Sequence, residues 1–416
     1  MMNLILNELK KIVSKKRFLV VLIIVFITTI LFSYVSYRDT AYGKFPLYPE
    51  VKSTKLQLML TKGRKEQAEV NYNMSKSTNG EELVLYLNNL LEILDQERDL
   101  LSKLDEIGSD WRSILKEDIK LIEKKKYFAE KEGEKTVIED INKEIQYKKF
   151  FLENNVKYSI KPNASAFYNI PSVVYYMQRI FLLLIISILV LDIVSGENEA
   201  STIKVLLTKP VSRGKVLLSK FFAVALASNG IVLAVQGMAF LILGVFFTFG
   251  DPNTPFVVGT KYNLDYNLIN QGRRGISAVL ESSSVIPAWK MIIQLVLLQV
   301  LLITACVAFC LFISTIFKSN IAATGVGFLF LIISWIVGFN ATFSFNQIAT
   351  RTTLIQKIVP YFFGTYYDLF ALLTGSFSEM LLNPNATVNL FIAVCFTWII
   401  VCYGMTHIIF TRRDVL

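Results

Sequence analysis

A single histidine, His407, and four cysteines, Cys306, Cys310, Cys395 and Cys402, supply all the imidazole and thiol in this 416-residue chain. A metal centre or a nucleophile with its base needs several such groups brought together, and all five of these sit in apolar runs. Cys306 and Cys310 share a helix face at i, i+4, where free cysteine usually serves as small apolar filler. The sequence contains no Walker A pattern and no other glycine-rich phosphate loop, so it carries no site for hydrolysing a nucleotide. The remaining chemistry is recognition. The richest stretch is 195–220, SGENEASTIKVLLTKPVSRGKVLLSK, polar and basic between two long apolar runs. Ile203, Leu206, Leu207 and Pro210 fall at i, i+3, i+4 and i+7, giving a short helix with one apolar stripe. Glu197 and Glu199 stand at its start and Lys204 and Lys209 toward its end, the polarity that a helix dipole favours. Pro210 ends the helix, and Ser212 is placed to cap the next.

A second set of polar residues lies inside apolar runs: Arg179, Asn229, Gln236, Gln294 and Gln299. A charge within a bilayer is costly, and so marks a functional position. Arg179 is also near enough to a span end to snorkel to the headgroups. The amides fit hydrogen bonds between helices or the lining of a substrate path.

These residues need long helices to hold them. The chain is 53% hydrophobic and 18% charged, with mean hydropathy +0.47, which is the composition of a polytopic membrane protein. A bilayer core takes about 20 helical residues to cross. Six apolar stretches are long enough, near 18–37, 174–194, 221–249, 291–316, 321–340 and 388–410. The expected fold is therefore all-α with six transmembrane helices, of which the first is a retained span rather than a signal peptide. Lys10, Lys11, Lys15, Lys16 and Arg17, the basic residues of 195–220, and Lys318, Arg412 and Arg413 fall on one side if the spans alternate. The positive-inside rule makes that side the cytoplasm, with both termini there, in a cell membrane.

Residues 38–170 hold 23 basic and 23 acidic residues, so the whole net charge of +10 belongs to the membrane portion and its flanks. Juxtamembrane cations face anionic lipid, which argues against a nucleic-acid partner. The same 38–170 segment reads as an extracytoplasmic helical domain. Leu87, Leu94 and Leu101 repeat every seven residues, with Leu90 and Leu104 adjacent. Trp111, Leu115, Ile119 and Ile122 mark a second helix, and Ile138, Ile141, Ile145 and Leu152 a third. A lid, docking surface or sensor, and a solvated spacer, all fit this coiled-coil-like insert. The outer loops 250–288 and 341–387 read as irregular. The first contains Arg273-Arg274, suited to an anion or simply to solvent. The second contains Tyr361-Phe362-Phe363-Gly364-Thr365-Tyr366-Tyr367, which suits an interfacial belt or an exit gate, with anchoring favoured.

The 195–220 stretch resembles the cytoplasmic signature of ABC-2 type transporter permeases, the membrane subunits of ATP-driven exporters. The resemblance rests on Glu197 and Glu199, Ser201-Thr202, Leu206-Leu207, Pro210-Val211-Ser212-Arg213 and Lys220, with Ser201 where the family usually has glycine. The start NELKKIVSKKRF is similar to the family's amphipathic elbow helix, which places an elbow at 1–17, spans at 18–37 and 171–194, and the third to sixth spans within 221–416. The family likeness implies that 195–220 is a coupling helix seated in a separate ATPase subunit. Glu197, Glu199, Thr202, Ile203, Leu206, Leu207, Pro210, Ser212 and Arg213 would form that contact, with Arg179, Asn229, Gln236, Gln294 and Gln299 candidates for the substrate path. It further implies that no cofactor binds this chain directly, that ATP and Mg sit on the partner, and that a second permease, identical or related, completes the transporter. The competing reading is a mechanotransmission or receptor protein acting through 38–170.

Overall fold

The computed structural model describes residues 1–41, 61–63, 65–69, 78–103, 110–132, 135–158, 165–179, 182–199, 212–270, 274–343 and 353–412. Helix α1, Met2–Val13, is amphipathic: Ile5, Leu9 and Ile12 turn one stripe into the core, and Lys10 and Lys11 fill the last turn. The chain breaks at Ser14 and continues as α2, Lys16–Ala41. Three helices then form the insert: α3, Thr78–Ser102; α4, Trp111–Glu132; and α5, Lys135–Glu153. Next come α6, Ala166–Arg179, and α7, Leu182–Val190; α8, Ser195–Glu199; and the 34-residue α9, Arg213–Phe246. The last long helices are α10, Ala288–Ile316; α11, Asn320–Phe343; and α12, Val388–Arg412.

Five of these, α2, α9, α10, α11 and α12, are long and apolar enough to cross a membrane. The second expected span is instead a bent pair, α6 and the segment beginning with α7, whose axes differ by 62°. The chain has six crossings only if that pair makes one. The long helices share one apolar core with α6 and α7. Helix α10 is its axis: 67% of its apolar window is buried, against 22–39% for the other four. Cys306 and Cys310 lie on this buried helix with their sulfurs 3.9 Å apart, as core residues.

The insert matches its sequence pattern. Leu87, Leu94, Leu115, Ile119, Ile122, Ile138 and Ile145 are all buried. At its heart sits a charged cluster. Lys148 on α5 lies 2.6 Å from Asp118 on α4, 2.9 Å from Glu144 and 3.6 Å from Glu97 on α3, while Lys125 holds Glu97 at 2.5 Å. Three carboxylates thus face two ammonium groups. Burial pushes Asp118 up to about 6 despite Lys148. Glu144 is also opposed by burial, but Lys148 and Lys125 hold it below the usual carboxylate range.

The all-α expectation fails in the 250–288 loop. Strand β1, Pro255–Val258, pairs antiparallel with β4, Ser284–Pro287, and β2, Tyr262–Leu264, pairs with β3, Ile276–Ala278. Runs of three or four residues are too short to show a period of two in the sequence, and their pairing is non-local. The loop is a fixed platform for the insert. Val257 packs with Ile145 and Phe151. Glu139 on α5, fully buried, accepts from the Glu281 N–H at 2.6 Å, the Ser283 N–H at 3.1 Å and the Ser283 hydroxyl at 2.5 Å. β4 runs directly into α10, so the insert is tied to the central helix of the core.

The aromatic cluster of the next loop is not a belt. Phe363, Tyr366 and Tyr367 are buried, and only Tyr361 and Phe362 face outward. Phe363 packs among Phe309, Phe330 and Trp398, and the Tyr366 hydroxyl donates to the Pro360 carbonyl at 2.7 Å. Residue type alone suggested anchoring, but two 3₁₀ turns fold this segment under α11 and α12. Gly338 makes that approach possible, since a Cβ there would lie 2.8 Å from the Thr365 carbonyl. Gly375, at φ +91°, seats the following turn on the main chain of Thr260. Arg274 is exposed and pairs with Glu379, donating to its carbonyl at 2.9 Å, and Arg273 lies outside the described residues.

Candidate coupling site

At the end of the bundle that carries α1, the first residues of the 195–220 segment are fixed from three directions. The N–H groups of Val194 and Ser195 both donate to the Ser314 hydroxyl of α10 at 3.0 Å. This pins the turn that leads from α7 into α8. Asp192, in that turn, pairs with Arg17 at 2.9 Å and Lys15 at 3.3 Å, at the start of α2. Glu197 then points inward. Its Oε1 is 2.9 Å from the ammonium of Lys220 on α9 and is also bonded by Lys11 of α1. Lys220 reaches Glu8 of α1 at 3.0 Å as well.

Lys220 is 1% exposed, eight residues into the third apolar helix, and Glu197 is 7% exposed. A buried ammonium is tolerable only when paired; here two carboxylates, Glu8 of α1 and Glu197 of α8, meet two ammonium groups, Lys11 of α1 and Lys220 of α9. Burial lowers the Lys11 pKa, but the bond to Glu197 together with the charges of Glu197 and Glu8 outweighs it and leaves the group above its ordinary value. The arrangement is a joint. It ties the amphipathic first helix, the start of the polar segment and the helix that follows into one unit.

Of the nine sequence-expected coupling residues, Glu197 is the one the joint contains. Its partners lie within the chain. Glu199 closes α8, and its side chain is outside the description. Thr202, Ile203, Leu206, Leu207 and Pro210 lie outside the described residues. Ser212 stands at the cap position of α9 with extended backbone, but its side chain makes no cap bond. Arg213 donates to the Thr411 carbonyl at 3.2 Å, where a cation suits the C-terminal end of α12. Glu8, Lys11 and Ser314 were missed as site residues. The available signal was Lys220, at the entry to the apolar run 221–249, where a buried ammonium needs buried counter-charges.

A family model described as "ABC-2 family transporter protein" matches residues 2–415. The chain belongs to the ABC-2 transporter family. It is a multi-pass membrane protein and a transport component rather than a catalytic subunit, and permeases of this family normally work with an ATPase subunit. No curated protein matches the chain significantly.

The ABC-2 chain disperses its five candidate path residues. Arg179 bonds the Tyr175 hydroxyl, lies over the rings of Tyr175 and Phe339, and offers its carbonyl to Trp335 at 2.8 Å. Asn229 donates to the Ala225 carbonyl at 2.9 Å and to Thr304 across the α9–α10 seam at 3.4 Å. Gln236 contacts the Met177 sulfur at 3.8 Å and lines an apolar cavity of about 380 Å³ with Pro171 and Trp289. Gln294 is half-buried. Gln299 is fully buried on α10, and among the described residues neither end of its amide has a hydrogen-bond partner.

Proposed function

We propose that this ABC-2 chain is the permease subunit of an exporter in the cell membrane, crossing it six times with both termini cytoplasmic. A separate ATPase, carrying ATP and Mg, docks on the 195–220 segment and drives outward movement of substrate by alternating access. A second permease, identical or related, completes the path. The observation that carries this reading is the joint of Glu8, Lys11, Glu197 and Lys220. A loop that served only as a connection would not need a buried ion pair to fix its first turn against two helices. A segment that receives force does need one, because motion at the ATPase must reach α9 and α10 rather than dissipate in the loop.

The division of labour follows from position. Glu197 and Lys220 act as positioning residues, and the apolar stripe of Ile203, Leu206 and Leu207 makes the partner contact. The test separates the two. Leu206→Asp or Leu207→Asp, at normal expression, removes co-purification of the ATPase. Glu197→Gln retains it while lowering substrate-stimulated ATP turnover and export. Retention of the ATPase by both leucine variants would contradict the docking assignment.

A further inference from the structure

The insert carries two oppositely charged stripes, each turned away from its core. On α4, Lys116, Lys120, Lys124 and Lys131 are exposed and, with Tyr127, fall within about 80° of one another at 100° per residue, over a length of about 22 Å. The buried face of α4, made by Leu115, Asp118, Ile122 and Lys125, is opposite. Of the acids beside this stripe, Glu123 pairs with Lys149 at 3.3 Å and Glu130 with Lys126 at 3.8 Å, which leaves exposed Glu117 at the stripe's edge against four lysines. Among the described residues, Lys116, Lys120 and Lys124 meet no carboxylate within 4.0 Å, and Lys131 lies over the Tyr127 ring at 4.7 Å. On α3, Glu81, Glu92, Asp95 and Asp99 share the face opposite Leu87, Leu94 and Leu101. Arg98 pairs with Asp95 and Asp99 at 2.9 and 2.8 Å, which leaves the stripe with a net negative charge.

The heights of the two stripes correspond. The Glu97–Lys125 bond sets α3 and α4 level at those residues. The helices are joined by the short segment 103–110 and run antiparallel, so Asp99 stands near the height of Lys124, and Glu92 near that of Lys131. A two-fold axis running along the bundle preserves height. It brings the cationic stripe of one copy onto the acidic stripe of the other, twice, as a self-complementary interface requires.

We infer that the α3–α4 face of the insert is the meeting surface for the insert of a second copy of this chain, with the lysines of one α4 against the carboxylates of the other α3. This rests on the reading of the transporter as a pair of permeases, and it names where the two chains engage beyond their spans. Exposed ion pairs contribute little each and are screened by salt. Their effect is on register and choice of partner. The pairing therefore favours two identical chains over a related chain lacking the stripes, while the bulk of the association comes from the spans.

The experiment uses the full chain, co-expressed with two different tags and reconstituted in nanodiscs. One copy carries Lys124→Cys and the other Asp99→Cys; the four native cysteines are buried in the apolar core. The expected result is a cross-tag disulfide that falls several-fold at high salt, is lost with K120E and K131E, and returns when E92K and D95K are added to the partner copy. Two-copy particles without the cross-link, or a cross-link indifferent to charge reversal, would overturn the proposal and leave the pair of permeases standing. Single-copy particles would overturn both. Binding of the lysine stripe to anionic vesicles, lost in K120E and K131E while no cross-link forms, would assign the surface to lipid instead.

Discussion

Lys220 and Lys11 approach the same carboxylate, yet their environments differ enough to predict different outcomes. The Lys220 side chain is 1% exposed and that of Lys11 46%. Lys220→Met strands Glu8 and leaves the buried Glu197 only the half-exposed Lys11, and breaking such a buried pair from one side costs about 3 kcal/mol or more. Lys11→Ala removes a half-solvated partner and costs under about 1 kcal/mol. Thermal unfolding in detergent should show a clear loss for the first variant and little for the second. Asp118 makes a pH prediction of unusual sign. Its folded pKa of about 6 lies above its ordinary value of 3.8, so ionised Asp118 destabilises the insert at neutral pH, and the penalty, about 3 kcal/mol at most, is relieved as pH falls from about 6 toward 4. Glu144 works the other way: its pKa is lowered from 4.5, so its contribution is present above that pH and lost as pH falls further. The insert should therefore be more stable near pH 5 than at pH 7. Asp118→Asn should raise stability at pH 7 and remove the gain on acidification, read by amide hydrogen exchange over α3 to α5 corrected for intrinsic rates.

At the scale of elements, the insert and the loop beneath it form one body because Glu139 accepts three hydrogen bonds from residues 281–283. Glu139→Ala leaves the buried Ser283 N–H without its acceptor and frees the Glu281 N–H, while the Ser283 hydroxyl keeps Thr260 at 3.0 Å, a loss of about 1–3 kcal/mol. Spin labels on α4 and on the 250–288 loop should give a narrow distance distribution in the native chain and a broad one in the variant. An unchanged distribution would show that apolar packing around Val257 suffices. The same elements show what the sequence could and could not disclose. The heptad of Leu87, Leu94 and Leu101 gave the insert its helices, because a 3.5-residue period survives in any one-dimensional reading. The Glu139 clamp was illegible, since its partners are more than 140 positions away and two of them are backbone. The aromatic run at 361–367 was misjudged for a related reason: burial there is decided by Gly338 and Gly364 allowing close approach, and composition cannot show approach. The bend between α6 and α7 follows Gln178-Arg179, a polar pair that the hydropathy of the surrounding run carried into a single span.

For the molecule as a whole, the family assignment and the polytopic core agree with what hydropathy and the 195–220 motif implied. The candidate coupling site was half legible. Glu197 was singled out from its place in the motif, whereas its internal pairs with Lys11 and Lys220, and that of Lys220 with Glu8, were not. Force from an ATPase would enter through the apolar stripe, cross the joint into α1 and α9, and reach α10 through Ser314. In the proposed account it would continue from α10 through β4 to the insert, so that the insert would move with the joint. The most direct measurement of this account is substrate-stimulated ATP hydrolysis and export by the permease and ATPase in proteoliposomes, comparing the native chain, Leu207→Asp and Glu197→Gln. The account predicts that Leu207→Asp loses the ATPase from the complex and abolishes export, while Glu197→Gln keeps the ATPase bound and lowers export at least about tenfold, the equivalent of about 1.4 kcal/mol of lost coupling. Native export by Leu207→Asp with the ATPase still bound would contradict it.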